Sequence, residues 1–567
     1  MSGVFQLDPT MNEEVASRSY KCNGAEDYDR KTETVSKMLD TDVLIVGSGP
    51  IGAVYARSII DADPGIRVMM VEIGEQEDRL IGEHKKNHVV VQQDSSRYTS
   101  IVKGGMALLS EPVTTGNSSK TVPSSIQNSA FDSDIRAPNN LPAEGVVRSV
   151  GGMGSYWSCA TPEMHAELER PDIFTDAEWD TLYCQAKTLF RTSTAEFDIS
   201  VRHHLVKDIL VRANKGREFT NLPLACERSI RNPDYVRWTG PARILGDLAA
   251  PKYDVGNFEL RARHCCTRVL LDAESKKVVG AELRDLLTNE VIIIQARAYV
   301  ICAGATLTAG ILYNSRIRPD TGCPALGRYL TEQTMAVCQV ALQPSFIKPS
   351  WDNPRSQAHH RRFIDDPLRI PFNDPSPQIT SPVSKEFPWH TQIQRDPFHY
   401  NTEPHSVDPR LILDIRYFGY VKPVYDNYVE FREGMNDPFG MPQPLIHYRI
   451  GEEDAERSRA MMDDMKKIAS DLGEFLPGAE PRFLPPGAAM HICGVTRAGK
   501  EDDGKSVVDR NSRVWRFDNL FLGGCGVIPT QNACNPTLTA ACFALVGARE
   551  VVRVVQMSRR QEIHSKL

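Results

Sequence analysis

Four consecutive apolar residues, Val43 to Val46, stand between the polar pair Thr41–Asp42 and a glycine. A run this short and uniformly apolar predicts a strand buried on both faces. Ala53 to Ile60 is compatible with a helix, and Arg67-Val-Met-Met-Val-Glu72 predicts a second strand that ends on an acid. Residues 175–215 carry helical patterning. Residues 258–301 alternate in the manner of antiparallel strands, at Thr267–Asp272, Val278–Leu283, Val291–Ile294 and Ala298–Cys302, with a turn at Glu274–Lys277. Cys302–Thr306 opens another helix. Alternation returns at 409–418 and 427–432 and predicts a separate sheet, and a helix fits Glu452 to Leu472. Leu520–Gly526 reads as a strand running into a glycine turn, and a buried helix starts at Asn535. Two stretches break the pattern. Residues 94–144, rich in Ser, Thr, Asn and Gly, read as a long excursion with little regular structure, and order resumes at Val147. Residues 345–390, rich in Pro, Asp and Ser, read as a loop-heavy insertion. There are no internal repeats.

The turn between the first two strands carries the most specific chemistry. Gly47, Gly49 and Gly52 follow the first strand in G-x-G-x-x-G spacing. In a βαβ unit the first glycine permits the tight turn, the second lets backbone approach a pyrophosphate, and the third lets helix and strand pack closely. The helix N-terminus offers unpaired N–H groups to phosphate. Glu72, 25 residues after Gly47, stands near the usual place of an acid that binds a ribose hydroxyl. The strand, helix, second strand and acid together make a dinucleotide site, which a lone glycine motif would not.

Composition narrows the class. At 567 residues the chain is long enough for a large core and two domains. A formal charge of −7, with no basic stripe, argues against a nucleic-acid surface. No run of about 18 apolar residues exists, so no membrane span is expected. The first 40 residues are polar and acidic, without an apolar segment of the signal-peptide kind, and are expected to form a flexible arm. Thirteen scattered cysteines, with no C-x-x-C, fit buried thiols in a reducing compartment; no disulfide framework and no metal site is expected. The chain ends Ser565-Lys566-Leu567, a receptor-read peroxisomal address, which implies a peroxisomal protein and its import receptor as a partner.

Several stretches share a family likeness: His84–Asn87, Val150–Met153, Trp157–Pro162, Leu326–Gln333, Trp389–Asp396, Gly440–Pro444, Asn519–Gly526 and Asn535–Ala540. Together they resemble the glucose–methanol–choline (GMC) oxidoreductases, and within them the pyranose 2-oxidase branch, from about Asp42 to Val552. The resemblance implies an α/β fold. It combines a Rossmann-like FAD-binding domain of the GMC/PHBH type with an inserted substrate-binding domain on a largely antiparallel sheet. The expected order is a flexible arm over 1–40 and FAD-binding parts over 41–215, 261–332 and 485–557. Substrate-domain parts fall at 216–260 and 333–484, and a tail at 558–567.

The same resemblance implies site residues. FAD would occupy the Gly47–Glu72 unit, with Gly152 and Ser158 beside it and Gly523 to Gly526, through Gly524 and Gly526, approaching from the second side. His491 and Asn535 match the catalytic pair, the first as base and the second to hold the alcohol oxygen. His491 lies in a variant of the family's H-x-x-G-T-x-x-M-G, with Val495 and Ala498 replacing Thr and Met. Phe398 and Tyr400 fall at the two aromatic positions of a loop that closes over sugar, with Gln392 and Arg416 at positions for sugar hydroxyls and the pocket wall. His399 and Asn401 differ from the smaller residues usual there. Tyr156 stands where the branch carries a histidine linked covalently to the flavin, so FAD held without a covalent bond is expected. The implied reaction is oxidation of a ring secondary alcohol of a pyranose or glycosylated substrate to a ketone. Electrons would leave to O₂, giving H₂O₂, or to a quinone. The departures leave open a tailoring enzyme of specialised metabolism acting on a non-sugar alcohol, and, from another class, a catalytically silent flavoprotein scaffold. Residues 94–144 and 345–375 are shorter than the branch's oligomerisation arm and head, so its tetrameric assembly is not carried over.

Overall fold

The computed structural model of the chain describes residues 35–92, 94–109, 141–250, 256–272, 276–395 and 407–566. At its centre is a five-stranded parallel sheet in the order Phe258–Arg261, Val68–Val71, Val43–Val46, Ala298–Ile301 and Leu520–Leu522. The three inner strands are apolar at every position and wholly buried, as a parallel sheet covered on both faces requires. The helix Pro50–Ala62 covers it together with the helix Thr537–Lys566, and Tyr55 of the former donates to the carbonyl of Leu522 at 3.1 Å.

The expectation of antiparallel pairing throughout 258–301 is corrected here. Only His264–Leu271, Val278–Asp285 and Val291–Gln295 pair that way. Phe258–Arg261 and Ala298–Ile301 run parallel to the nucleotide-binding strands. Alternation reports which face of a strand is buried; it does not report the direction of its neighbour. A second correction concerns the arm. Val35–Asp40 is a strand, parallel to Val291–Gln295, so regular structure begins before Asp42. Residues 1–34 lie outside the described residues.

A second sheet of seven strands is antiparallel at every pair. Its long strands are Gln333–Leu342, Ile412–Tyr420 and Trp389–Gln394. The helix Glu452–Leu472 lies across it with the ends read from the sequence, burying Ala455, Met461, Met465, Ile468 and Leu472 at helical spacing. The expected second stretch of that sheet, 427–432, instead pairs Tyr428–Glu430 with Leu445–His447 in a separate ribbon.

Both segments read as irregular contain helices. Ser95–Gly105 follows Asp94, whose carboxylate caps it by accepting from the Arg97 amide at 3.0 Å. Pro354–Arg362 follows Asn353, which caps it in the same way. Their polar composition hid them, because a cap and one buried face suffice where tertiary contacts complete the helix. The last helix continues through Lys566, so the expected tail forms its final turns, exposed over 561–565.

Candidate active site

The C-terminal ends of the parallel strands open onto a cavity of about 570 Å³ that runs from the glycine turn to the second sheet. Open α/β sheets place ligands at this edge. Gly47 has a positive φ of 102°, and a Cβ on it would lie 2.4 Å from the carbonyl oxygen of Cys302. A Cβ on Gly52 would lie 2.1 Å from the Gly47 carbonyl oxygen. Both glycines therefore permit backbone-to-backbone packing, and Gly52 does not face the cavity. Gly49 does: the nearest atom to a Cβ there is 4.0 Å away, and none lies within 4 Å at Gly304 or Gly524. Glu72 sits at the strand end, on the cavity wall. Its Oε2 accepts from the Ser48 amide (3.0 Å) and hydroxyl (2.7 Å), and its Oε1 from the Gly74 amide (3.1 Å). Burial pushes its carboxyl up while these bonds pull it down. The acid thus braces the glycine turn as well as facing the cavity.

At the other end the wall is formed by Met335, Arg416, Phe418, His491 and Asn535. Asn535 Nδ2 donates to His491 Nε2 at 3.2 Å. His491 Nδ1 stands 2.8 Å from Gln333 Oε1, and the His491 backbone N–H donates to Glu332 Oε1 at 2.9 Å. On the far side of Asn535, its Oδ1 accepts from Gln392 Nε2 at 2.8 Å, and Gln392 Oε1 accepts from Gln394 Nε2 at 3.0 Å. Burial, reinforced by His390 and Arg416, pushes the His491 imidazole down to about 3, so it is neutral at physiological pH. Burial likewise lowers Arg416 to about 9 and raises Glu332 to about 7.

The structure thus brings together His491, Asn535, Arg416, Ser158, Gly49, Gly152, Gly524 and Glu72 around one cavity. Others fall elsewhere. Gln392 is fully buried behind Asn535, and both its amide hydrogens are engaged, the second by His390 Nε2 at 3.1 Å. Its place is support of Asn535, not the wall that would meet sugar hydroxyls. Gly526 packs against Thr496 and Ala305 outside the lining, where Gly524 and Cys525 stand instead. Tyr156 points away from the cavity into a cluster with Val91, Tyr98, Val102 and Val147, and its hydroxyl donates to Glu77 Oε2 at 3.3 Å. As a cofactor contact it is therefore corrected. The helix Ser95–Gly105 covers it, which no local pattern announced. Phe398 and Tyr400 lie outside the described residues.

Two family profiles, both of GMC oxidoreductase, match residues 249–335 and 423–544. The chain is 41% identical to a pyranose 2-oxidase of Emericella nidulans, over 91% of this chain and 92% of that one. It belongs to the GMC oxidoreductase family. A C-glycoside 3-oxidase of Arthrobacter globiformis is 30% identical over 90% of this chain and 94% of its own. The solved formate oxidase of Aspergillus oryzae shares the GMC fold, with a TM-score of 0.63 at 14% identity, over 91% of this chain and 98% of that one.

As a GMC enzyme this is an FAD-dependent oxidoreductase acting on CH–OH donors. The residues present fit the cofactor. Open space flanks Gly49, Gly304 and Gly524 where any side chain would intrude, and an acid closes the second strand. One further polar group on the wall had no sequence signal. Glu144 is 8% exposed, its Oε2 has no hydrogen-bond partner among the described residues, and burial raises its carboxyl far above the usual range. Glu332 and Gln333 were also missed as site residues, although they lie in a stretch that carried the family likeness. A single pair of polar residues at the start of a strand has no periodicity to reveal it.

Because the imidazole titrates near 3, the folded state leaves His491 unprotonated from neutral pH down to well below 6.5. Protonation removes the lone pair on Nε2, so any activity that used His491 as a base would be lost as pH falls through the folded value, not through 6.5. In stopped-flow measurement of flavin reduction by substrate, the acid limb assigned to His491 falls below pH 5; a limb near 6.5 that vanishes with His491→Ala would contradict the buried, neutral imidazole.

Proposed function

We propose that this protein oxidises a ring secondary alcohol of a pyranose, or of a glycosylated compound, to a ketone. The observation that carries the reading is the His491–Asn535 pair facing the cavity at 3.2 Å with Arg416 on the same wall. Support comes from relatives named pyranose 2-oxidase and C-glycoside 3-oxidase, each matching nine-tenths of the chain. His491 Nε2 takes the hydroxyl proton. Asn535 has one amide hydrogen directed at His491, and the other holds the alcohol oxygen in line. Arg416 supplies donors to the remaining hydroxyls. FAD, when bound, would supply the acceptor for the carbon-bound hydride and the route of the electrons to O₂, giving H₂O₂. Burial of Asn535 and Arg416, with His491 half-buried between them and the cavity, limits the access of bulk water to these hydrogen bonds.

The test is anaerobic flavin reduction with glucose, xylose, a C-glycoside and simple non-sugar alcohols. The expected outcome is fast reduction by a pyranose or glycoside, slowed about 10²–10⁴-fold in His491→Ala with FAD still bound. Reduction by the non-sugar alcohols alone would replace the reading with a tailoring reaction on an apolar alcohol, for which Met335 and Phe418 on the wall leave room.

FAD is held without a covalent bond in this reading. Tyr156, at the position of the linking histidine in the pyranose oxidase branch, is turned into its own apolar cluster. Acid precipitation is expected to leave yellow FAD in the supernatant; flavin retained in the pellet would overturn this.

We further propose a peroxisomal location, read from Ser565-Lys566-Leu567. Ser565 is exposed at the end of the last helix, outside the core. Removing the three residues is expected to shift an N-terminal fluorescent fusion from puncta to a diffuse signal while leaving activity unchanged. A diffuse signal from the intact chain would rule the location out.

A further inference from the structure

Gln333 opens the long strand Gln333–Leu342 of the second sheet, and its side chain is buried (3% exposed). Its Nε2 donates to two backbone carbonyls, Asn532 O at 2.8 Å and Cys534 O at 2.9 Å. Carbonyls only accept, so these bonds spend both amide hydrogens and fix which end of the amide is which. The oxygen end then faces His491 Nδ1 at 2.8 Å and can only accept there. The proton of the neutral imidazole therefore sits on Nδ1, and the lone pair sits on Nε2, beside Asn535 and the cavity. The opposite tautomer would set lone pair against lone pair in a buried site.

The neighbouring residue grips the same histidine from behind. Glu332 accepts from the His491 amide through Oε1 (2.9 Å) and from the Gln333 amide through Oε2 (2.6 Å). Gln333 and the residue just before its strand thus hold the ring and the backbone of His491. Through Asn532 and Cys534, Gln333 also holds the segment that carries Asn535. We propose that Gln333 is the positioning residue of the reaction: it sets the tautomer of His491 and locks His491 and Asn535 into one frame. The proposal rests on the reading that His491 is the base. It adds that the acceptor at Nδ1 comes from the first residue of a strand of the second sheet, while the carbonyls of Asn532 and Cys534 orient it.

The experiment uses the full-length, FAD-loaded protein, whichever alcohol of the panel above reduces it, and the variants Gln333→Leu, Gln333→Glu and His491→Ala. Gln333→Leu removes the acceptor at Nδ1 at similar volume. It is expected to bind FAD with unchanged affinity and absorption spectrum, and to slow flavin reduction about 10²-fold or more, as misorienting a catalytic histidine does elsewhere. Gln333→Glu keeps an acceptor at Nδ1 and adds negative charge, while giving up the two bonds to the Asn532 and Cys534 carbonyls. It is expected to recover part of the rate and to move the acid limb of the reduction rate upward by about one pH unit or more, since a carboxylate favours the imidazolium. A merely structural role would not move that limb. Reduction by Gln333→Leu within twofold of wild type, or an unmoved limb in Gln333→Glu, overturns the proposal. If Gln333→Leu fails to fold, the limb of Gln333→Glu decides alone. If His491→Ala reduces like wild type, the base reading falls and this proposal with it; if His491→Ala is slow while the Gln333 variants behave as wild type, only this proposal falls.

Discussion

Three backbone segments touch with no side chain between them at Gly47, Gly52 and Cys302. A single Cβ at either glycine would overlap a carbonyl oxygen by about an ångström, and backbone cannot swing aside as a side chain can. That contact sets the helix Pro50–Ala62 directly on the strand Val43–Val46 and brings the end of Ala298–Ile301 level with the turn. The strand ends then line up, and the cavity forms at their common edge. The C-terminal helix packs on the same helix, with Gly547 against Tyr55, and so the residues that lead into it, Asn535 to Thr537, reach the cavity from the opposite side.

The two sheets contribute different things to the chemistry. The parallel sheet supplies space: glycines with open room beside them and an acid braced by Ser48 and Gly74. The antiparallel sheet supplies hydrogen-bond direction. From Gln394 through Gln392, Asn535 and His491 to Gln333, every amide is oriented by its neighbour, and the chain ends on two carbonyls that can accept and not donate. Such order persists because the site is buried. In a medium of low dielectric an unmade hydrogen bond costs more than in water, so one proton arrangement dominates. The same burial keeps His491 neutral. A charged imidazole in the resting site would offer no lone pair to an alcohol.

Much of this was legible in the chain. The uniformly apolar runs located the central strands, the glycine spacing located the turn, and the patterning at Glu452–Leu472 located a helix end to end. These are local facts: whether one face or two is buried, and whether backbone must approach backbone, is recorded within a few residues. His491 and Asn535, 44 positions apart, were paired through resemblance alone, and the fold sets them 3.2 Å apart.

Tertiary structure decided the rest, for one physical reason. A hydrogen bond's partner and a side chain's direction depend on segments that arrive from far along the chain. Tyr156 is buried under a helix that its own neighbours do not predict, and so leaves the cofactor cavity. Phe258–Arg261 alternates like an antiparallel strand, yet the neighbour it meets is Val68–Val71, and the pairing is parallel. Gln392 occupies a position associated with sugar, yet Asn535 takes its amide. Gln333 has no pattern of its own. Its orientation, and the proton on His491, are set by carbonyls about 200 residues downstream that only the folded chain places within reach.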